Sequence, residues 1–147
     1  MKKDMGKQPS NNVLYPDLSY KLMEIVFEVH NQLGPGFTED IYEKAVMYEL
    51  SIQNIPYEQQ KSIQVFYKGQ TMGIYRLDFV IDGKIILELK AVSGLNDIFK
   101  QQLLSYLKAT NLRLGILVNF GAKRLDGPCR KLKYKYSCYS SIRGIRD

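Results

Sequence analysis

The sequence has no tryptophan, one histidine, two cysteines and no long apolar run. Each shortage narrows the chemistry. With His30 as the sole imidazole, the chain offers little support for a Ser-His-Asp triad or a histidine metal site. His30 falls near the end of the first helical stretch, where an imidazolium gains from the helix dipole and the last carbonyls. Cys129 and Cys138 are too few for a disulfide framework or a zinc cluster, and they read as plain thiols of a reducing, cytoplasmic setting. No apolar stretch reaches the ~18 residues of a membrane helix. The first ten residues are polar and lack the apolar segment of a secretory signal. Repeats and low-complexity tracts are also missing. What remains is 147 residues with 45% hydrophobic and 24% charged side chains, the balance of one globular domain.

Acidic residues are scarce in one place. Residues 122–147 hold eight basic side chains and two acids, Asp126 and Asp147, so this segment carries the whole net charge of +6. Positive charge gathered in this way points to an anionic partner, nucleic acid first, with a solubilising tail as the bland alternative. Within it, Leu132–Tyr139 alternates lysine with tyrosine as an edge strand would. Lys133 and Lys135 then share a side, and Arg130 and Lys131 join them as candidate phosphate contacts. We expect residues 1–13 to be disordered, 14–139 to form the domain, and 140–147 to be a basic tail.

Between these ends the hydrophobic period changes twice. Leu18, Leu22, Ile25, Val26, Val29 and Leu33 have helical spacing, with Asp17 or Ser19 as a cap and Gly34-Pro35-Gly36 as the stop. Thr38 is placed to cap a second helix running to about Gln53. Ile63, Val65 and Tyr67 alternate as in a strand, Lys68-Gly69-Gln70 turns, and a second strand runs from about Met72 to Ile81. Asp82-Gly83 turns again into Lys84–Val92, whose Ile85-Ile86-Leu87 run suggests a strand covered on both faces. Leu95–Thr110 is helical and Arg113–Phe120 is an apolar strand. The order α-α-β-β-β-α-β plus a C-terminal strand predicts an α/β fold, a mixed sheet flanked by helices.

The sharpest chemical signal lies in the middle strands. Glu88 and Lys90 are two apart and share a face in otherwise apolar surroundings. Charges there cost several kcal/mol unless paired or metal-bound. A three-residue loop Asp82-Gly83-Lys84 would place Asp78 opposite Glu88; a two-residue loop would oppose it to Leu87, pointing away. Two carboxylates beside a lysine suit phosphodiester cleavage, with Mg²⁺ held between carboxylate and phosphate. Buried salt bridges, Glu88 with Lys90 or Asp78 with Arg76, are the structural alternative. In the second helix Glu39 lies about 20° from Val46 and 60° from Tyr42, at the edge of the apolar arc. Glu49 falls nearer the middle of that arc and is expected to partner a basic side chain. In the later helix Gln102 and Tyr106 share a face at i, i+4.

Gly36-Phe37-Thr38-Glu39-Asp40-Ile41-Tyr42 resembles the motif that names the GxxExxY proteins of the PD-(D/E)XK nuclease superfamily. The similarity continues through LDFVIDGKIILELKAV, QLLSYLKAT and GILVNF, over roughly residues 18–135. It implies a restriction-endonuclease-like αβββαβ core with an extra N-terminal helix and a Mg²⁺- or Mn²⁺-dependent phosphodiesterase site. By that resemblance Asp78 and Glu88 would be metal ligands, Lys90 the catalytic lysine and Glu39 the first-helix acid. Gln102 with Tyr106 would form the Q-x-x-x-Y element, and Phe99 stands where the family pattern often has a histidine. The implied partner is nucleic acid, DNA ahead of RNA, with no membrane and a homodimer as one way to grip a duplex. A catalytically silent nucleic-acid- or protein-binding module on the same fold, and a nucleotide phosphohydrolase, are the competing functions.

Overall fold

The computed structural model describes residues 14–123 and 130–133. Pro16 opens α1 (Pro16–Leu33), since its fixed φ suits the first helical turn. The capping position belongs to neither Asp17 nor Ser19. Tyr15 occupies it with φ +48°, while the fully buried Ser19 donates its hydroxyl to the Leu14 carbonyl at 3.0 Å. Gly34 ends the helix as expected, its N–H bonded to the His30 carbonyl at 2.8 Å. Gly36 holds φ +115°, a conformation that L side chains rarely adopt. Thr38 then caps α2 (Glu39–Ile52), although its hydroxyl bonds the Asp40 carboxylate and no backbone N–H of the helix.

The strands are β1 (Tyr57–Tyr67), β2 (Gln70–Ile81), β3 (Ile85–Lys90), β4 (Leu114–Asn119) and β5 (Arg130–Lys133), with α3 (Asp97–Thr110) between β3 and β4. They form one sheet in the order β1-β2-β3-β4-β5. Neighbours run antiparallel except β3 and β4, which are parallel and therefore need the α3 crossover. The mixed α/β sheet with flanking helices is the predicted fold class. β1 starts six residues before its apolar alternation, because its first half is held by pairing with β2 while its side chains are mostly exposed. β5 begins at Arg130, not Leu132. Lys135 and the rest of the expected strand lie outside the described residues, as do residues 1–13 and 140–147 and both cysteines.

Two cores sandwich the sheet. α1 and α2 pack on one face against Phe79, Ile81, Ile85, Leu87, Leu89, Ile116 and Val118. On the other, α3 packs through Leu103, Tyr106 and Leu107 against Val80, Ile86 and Leu117. Ile85 to Leu89 are all buried, so β3 is covered on both faces as its composition suggests. Among the described residues no helix is long and apolar enough to cross a membrane.

His30 does sit near the end of α1, but its partner is not a helix carbonyl. Its Nε2 lies 2.8 Å from the Ala122 carbonyl oxygen, and its ring stacks on Phe120. Tyr42 is fully buried, lies flat against Phe120 at 4.5 Å, donates to the Gly34 carbonyl at 2.5 Å and accepts from the Phe37 N–H at 3.2 Å. It clamps the loop that aims the start of α2 at the sheet. Glu49 forms no ion pair among the described residues, contrary to expectation.

Candidate active site

The β2–β3 connection decides the site. Asp82 and Gly83 both have positive φ, and Ile81 pairs with Ile85, so the loop has three residues. That register sets Asp78 opposite Glu88. The regular ladder stops one pair short of them, at Phe79 and Leu87. Beyond it the carboxylates take over the backbone's hydrogen bonds. The Asp78 N–H donates to Glu88 Oε1 at 3.0 Å, and the Leu89 N–H donates to Asp78 Oδ2 at 2.8 Å. Across its other edge Asp78 faces Gln60, which has φ +50° and drops out of the β1–β2 ladder. The side-chain alternation of β2 slips here: Leu77 and Val80 both pack in the α3-side core. Asp78 thus stands in a break in the sheet on both sides, a pattern typical of sites that re-aim a side chain.

The electrostatics are those of concentrated negative charge. Glu88 is 6% exposed, and burial, followed by the neighbouring Asp78 charge, pushes its carboxyl up to about 8. Burial also raises Asp78, with the charge of Glu43 adding to it. The salt bridges offered by the structural alternative do not form, since neither carboxylate pairs with Lys90 or Arg76. Lys90 instead places its Nζ 4.7 Å from the centre of the Phe99 ring. It remains near enough to favour the charged forms of Asp78, Glu88 and Glu39.

Helices supply the rest. Glu39, the first residue of α2, is half-buried; burial raises its pKa and the Lys90 charge opposes that rise. On α3, Gln102 stands beside the Tyr106 hydroxyl, whose pKa is pushed up to about 12 by burial and then by the charge of Glu88. Asp78, Glu88, Lys90, Glu39, Gln102 and Tyr106 therefore converge. Arg130 falls in the same cross-sheet row by backbone register, Glu88 to Leu117 to Arg130, with Lys131 one residue on. Lys133 pairs with Leu114, toward the opposite end of the sheet.

Two contributors escape the sequence reading. Glu43 lies one turn after Glu39, accepts from the Gln59 and Gln60 side chains at 2.7 and 2.8 Å, and adds negative charge near Asp78. Its i+4 spacing from Glu39, about 40° around the helix, was the available signal. Asn119 is 1% exposed and spans the end of β3, accepting from the Val92 and Gly121 N–H groups at 3.0 Å and donating to the Val92 carbonyl at 2.9 Å. A Cβ on Gly121 would stand 2.2 Å from the Val92 carbonyl oxygen, so only glycine fits there. With the Phe120 N–H bonded to the Lys90 carbonyl at 2.8 Å, this clip fixes the backbone that carries Lys90.

Among the described residues no three histidine, cysteine or acidic side chains form a ready metal cluster. What stands there is a carboxylate pair, the number that Mg²⁺ commonly takes from protein while keeping several waters. The carboxylates are crowded, buried and without an ion pair among the described residues, so a divalent cation would relieve their repulsion, and the donor set fits it.

No curated protein matches the sequence. Among solved structures the chain is similar to the crystal structure of SSO0001, at 24% identity and a TM-score of 0.48 over 74% of its length, and spans 55% of that protein. The family model of the PD-(D/E)XK nuclease superfamily matches residues 16–132. That match runs from the start of α1 into β5, and the chain belongs to the PD-(D/E)XK nuclease superfamily.

Proposed function

We propose that the protein is a divalent-metal-dependent nuclease of the GxxExxY type, cutting phosphodiester bonds of nucleic acid in the cytoplasm, DNA ahead of RNA. One observation carries the reading: across a broken ladder the Glu88 carboxylate accepts from the Asp78 N–H and the Asp78 carboxylate from the Leu89 N–H, both carboxylates being buried and without an ion pair among the described residues. A protein selected for stability alone gains nothing from two uncompensated buried carboxylates. Asp78 and Glu88 would hold Mg²⁺ or Mn²⁺. When bound, such an ion polarises the phosphoryl oxygen and acidifies its water.

The chain's own residues do the remainder. Lys90 orients the attacking water and offsets charge building on the phosphate. Phe99 and the Asn119 clip hold Lys90 at the mouth of the strand break. Glu39 and the Gln102–Tyr106 pair position the groups around the carboxylates. Arg130, Lys131, Lys133 and Lys135 supply phosphate contacts from the basic segment.

The test is purified protein against labelled DNA and RNA panels with Mg²⁺, Mn²⁺ or EDTA. Cleavage that needs the metal and is lost in Asp78→Asn is the expected result. Metal binding without cleavage of any polymer would sink the proposal and leave a binding module on the same fold.

A further inference from the structure

The strand break that brings the carboxylates together also opens a wall beside them. β2 pairs with β3 only from Phe79 to Ile81, so its residues from Gln70 to Leu77 pair with β1 alone. The β1–β2 hairpin therefore projects past the end of the β2–β3 ladder as an arm. Asp78 and Glu88 lie where the two strands part. The arm is apolar and exposed: Phe66, Tyr67, Met72, Ile74 and Tyr75 are each about half to two-thirds accessible. Residues 62–75 carry a single charge, Lys68, at the tip.

One of those side chains reaches the site. The Tyr75 ring lies 5.6 Å from that of Tyr106, tilted by 51°. Tyr106 in turn feels the charges of Glu88, Tyr75 and Asp78 together. Along β2, Tyr75 is three residues from Asp78, about 10 Å at strand rise. It is 49% exposed, so its far face is open while its position is held by Tyr106.

Residues 14–123 hold eleven basic side chains against twelve acidic, so this wall has no surplus of charge to grip a phosphate backbone. An open aromatic face about 10 Å along the strand from Asp78 suits a base instead. Stacking on an aromatic side chain is sequence-tolerant, because every base has a π-face, but it needs a base free of its own helix. We infer that Tyr75 is the base-stacking platform of this site and that the site takes an unstacked nucleotide, from a single strand or a frayed end. The inference rests on the nuclease reading for where the strand lies, and it is tested by binding and not by cutting.

A single-stranded oligonucleotide carrying 2-aminopurine, titrated with protein in Ca²⁺, reads stacking as fluorescence quenching. The parent and Tyr75→Phe should bind and quench alike. Tyr75→Leu should lose the quenching and bind the strand at least ~5-fold more weakly. A closed duplex hairpin should bind all three proteins equally, with unchanged melting temperature of the protein. Three results overturn the inference: a parent that does not quench, Tyr75→Leu quenching as the parent does, or Tyr75→Leu weakening single strand and duplex equally. A parent dimer that Tyr75→Leu dissociates in ultracentrifugation would also overturn it and make the arm an interface between copies. The two readings fail separately. Tyr75-dependent quenching without Mg²⁺- or Mn²⁺-dependent cutting sinks the nuclease reading alone, whereas metal-dependent cutting by a parent whose quenching and single-strand binding Tyr75→Leu leaves unchanged sinks this one alone.

Discussion

The two halves of β3 share a strand, a sheet position and nearly complete burial, yet they are held in opposite ways. In Ile85–Leu87 the backbone is satisfied by the β2 and β4 ladders, and the side chains fill the two cores. In Glu88–Lys90 the β4 ladder continues, but on the β2 side carboxylates replace the backbone partners. The first half is stable because apolar area is buried. The second keeps charge buried at a cost and has a neighbouring lysine that solvates no carboxylate by direct contact. Stability and chemistry thus occupy adjacent turns of the same pleat, and the fold tolerates the second because the first is rigid.

That contrast is broken most completely by removing the carboxylates. Asp78→Asn and Glu88→Gln should abolish Mn²⁺ binding in calorimetry and bring cleavage to background, with the circular dichroism spectrum unchanged. Variants that bind Mn²⁺ as the parent does would place the metal elsewhere. Lys90→Ala should lower turnover on the order of 10²-fold or more with modest change in substrate affinity, as for loss of a group acting in the transition state. An active Lys90→Ala protein would refute its role.

Stability should separate the two halves with opposite sign. Leu87→Ala opens a cavity and should cost about 2–5 kcal/mol in denaturant unfolding. Glu88→Gln, one residue away, keeps an acceptor for the Asp78 N–H and above about pH 8 removes a buried charge, so without metal at that pH it should unfold no more readily than the parent. Equal losses in the two variants would erase the distinction.

Acidity gives a smaller effect of definite sign. Glu88 binds its proton more tightly folded, at about 8, than at its ordinary value of 4.5. Its contribution to stability is therefore fully present below about 4.5 and lost as pH rises through about 8. Thermal melts of the metal-free protein should fall across that window, and Mg²⁺ should flatten the fall. A metal-free melt that rises with pH there would contradict the burial argument. The smallest effect concerns the basic segment: Lys133→Ala with Lys135→Ala should flatten the slope of log K against log salt on duplex DNA by roughly 2, leaving saturated turnover almost unchanged. An unchanged slope would reduce that segment to a solubilising tail.

Much of this was written in local pattern. The periods of 3.6 and 2, the Gly34-Pro35-Gly36 stop and the apolar Ile85-Ile86-Leu87 run set the element order, because each depends on residues within one turn or one strand. The carboxylates, the lysine, Glu39 and the Gln102–Tyr106 pair were equally visible, since buried charge stands out in an apolar strand and i, i+4 spacing fixes a helix face. Asp78 was different. Whether it met Glu88 or turned from it hung on one residue of loop length, and the positive φ of both Asp82 and Gly83 decided that. Glu43, Asn119 and Tyr75 stayed hidden for a related reason: each acts on a neighbour brought close by the fold, across 16, 27 and 31 positions of sequence. Sequence by itself determined which groups could do chemistry and on which elements they ride. Tertiary structure alone decided which of them meet, because register, crossover and the break at Asp78 are properties of paired strands and not of any one of them.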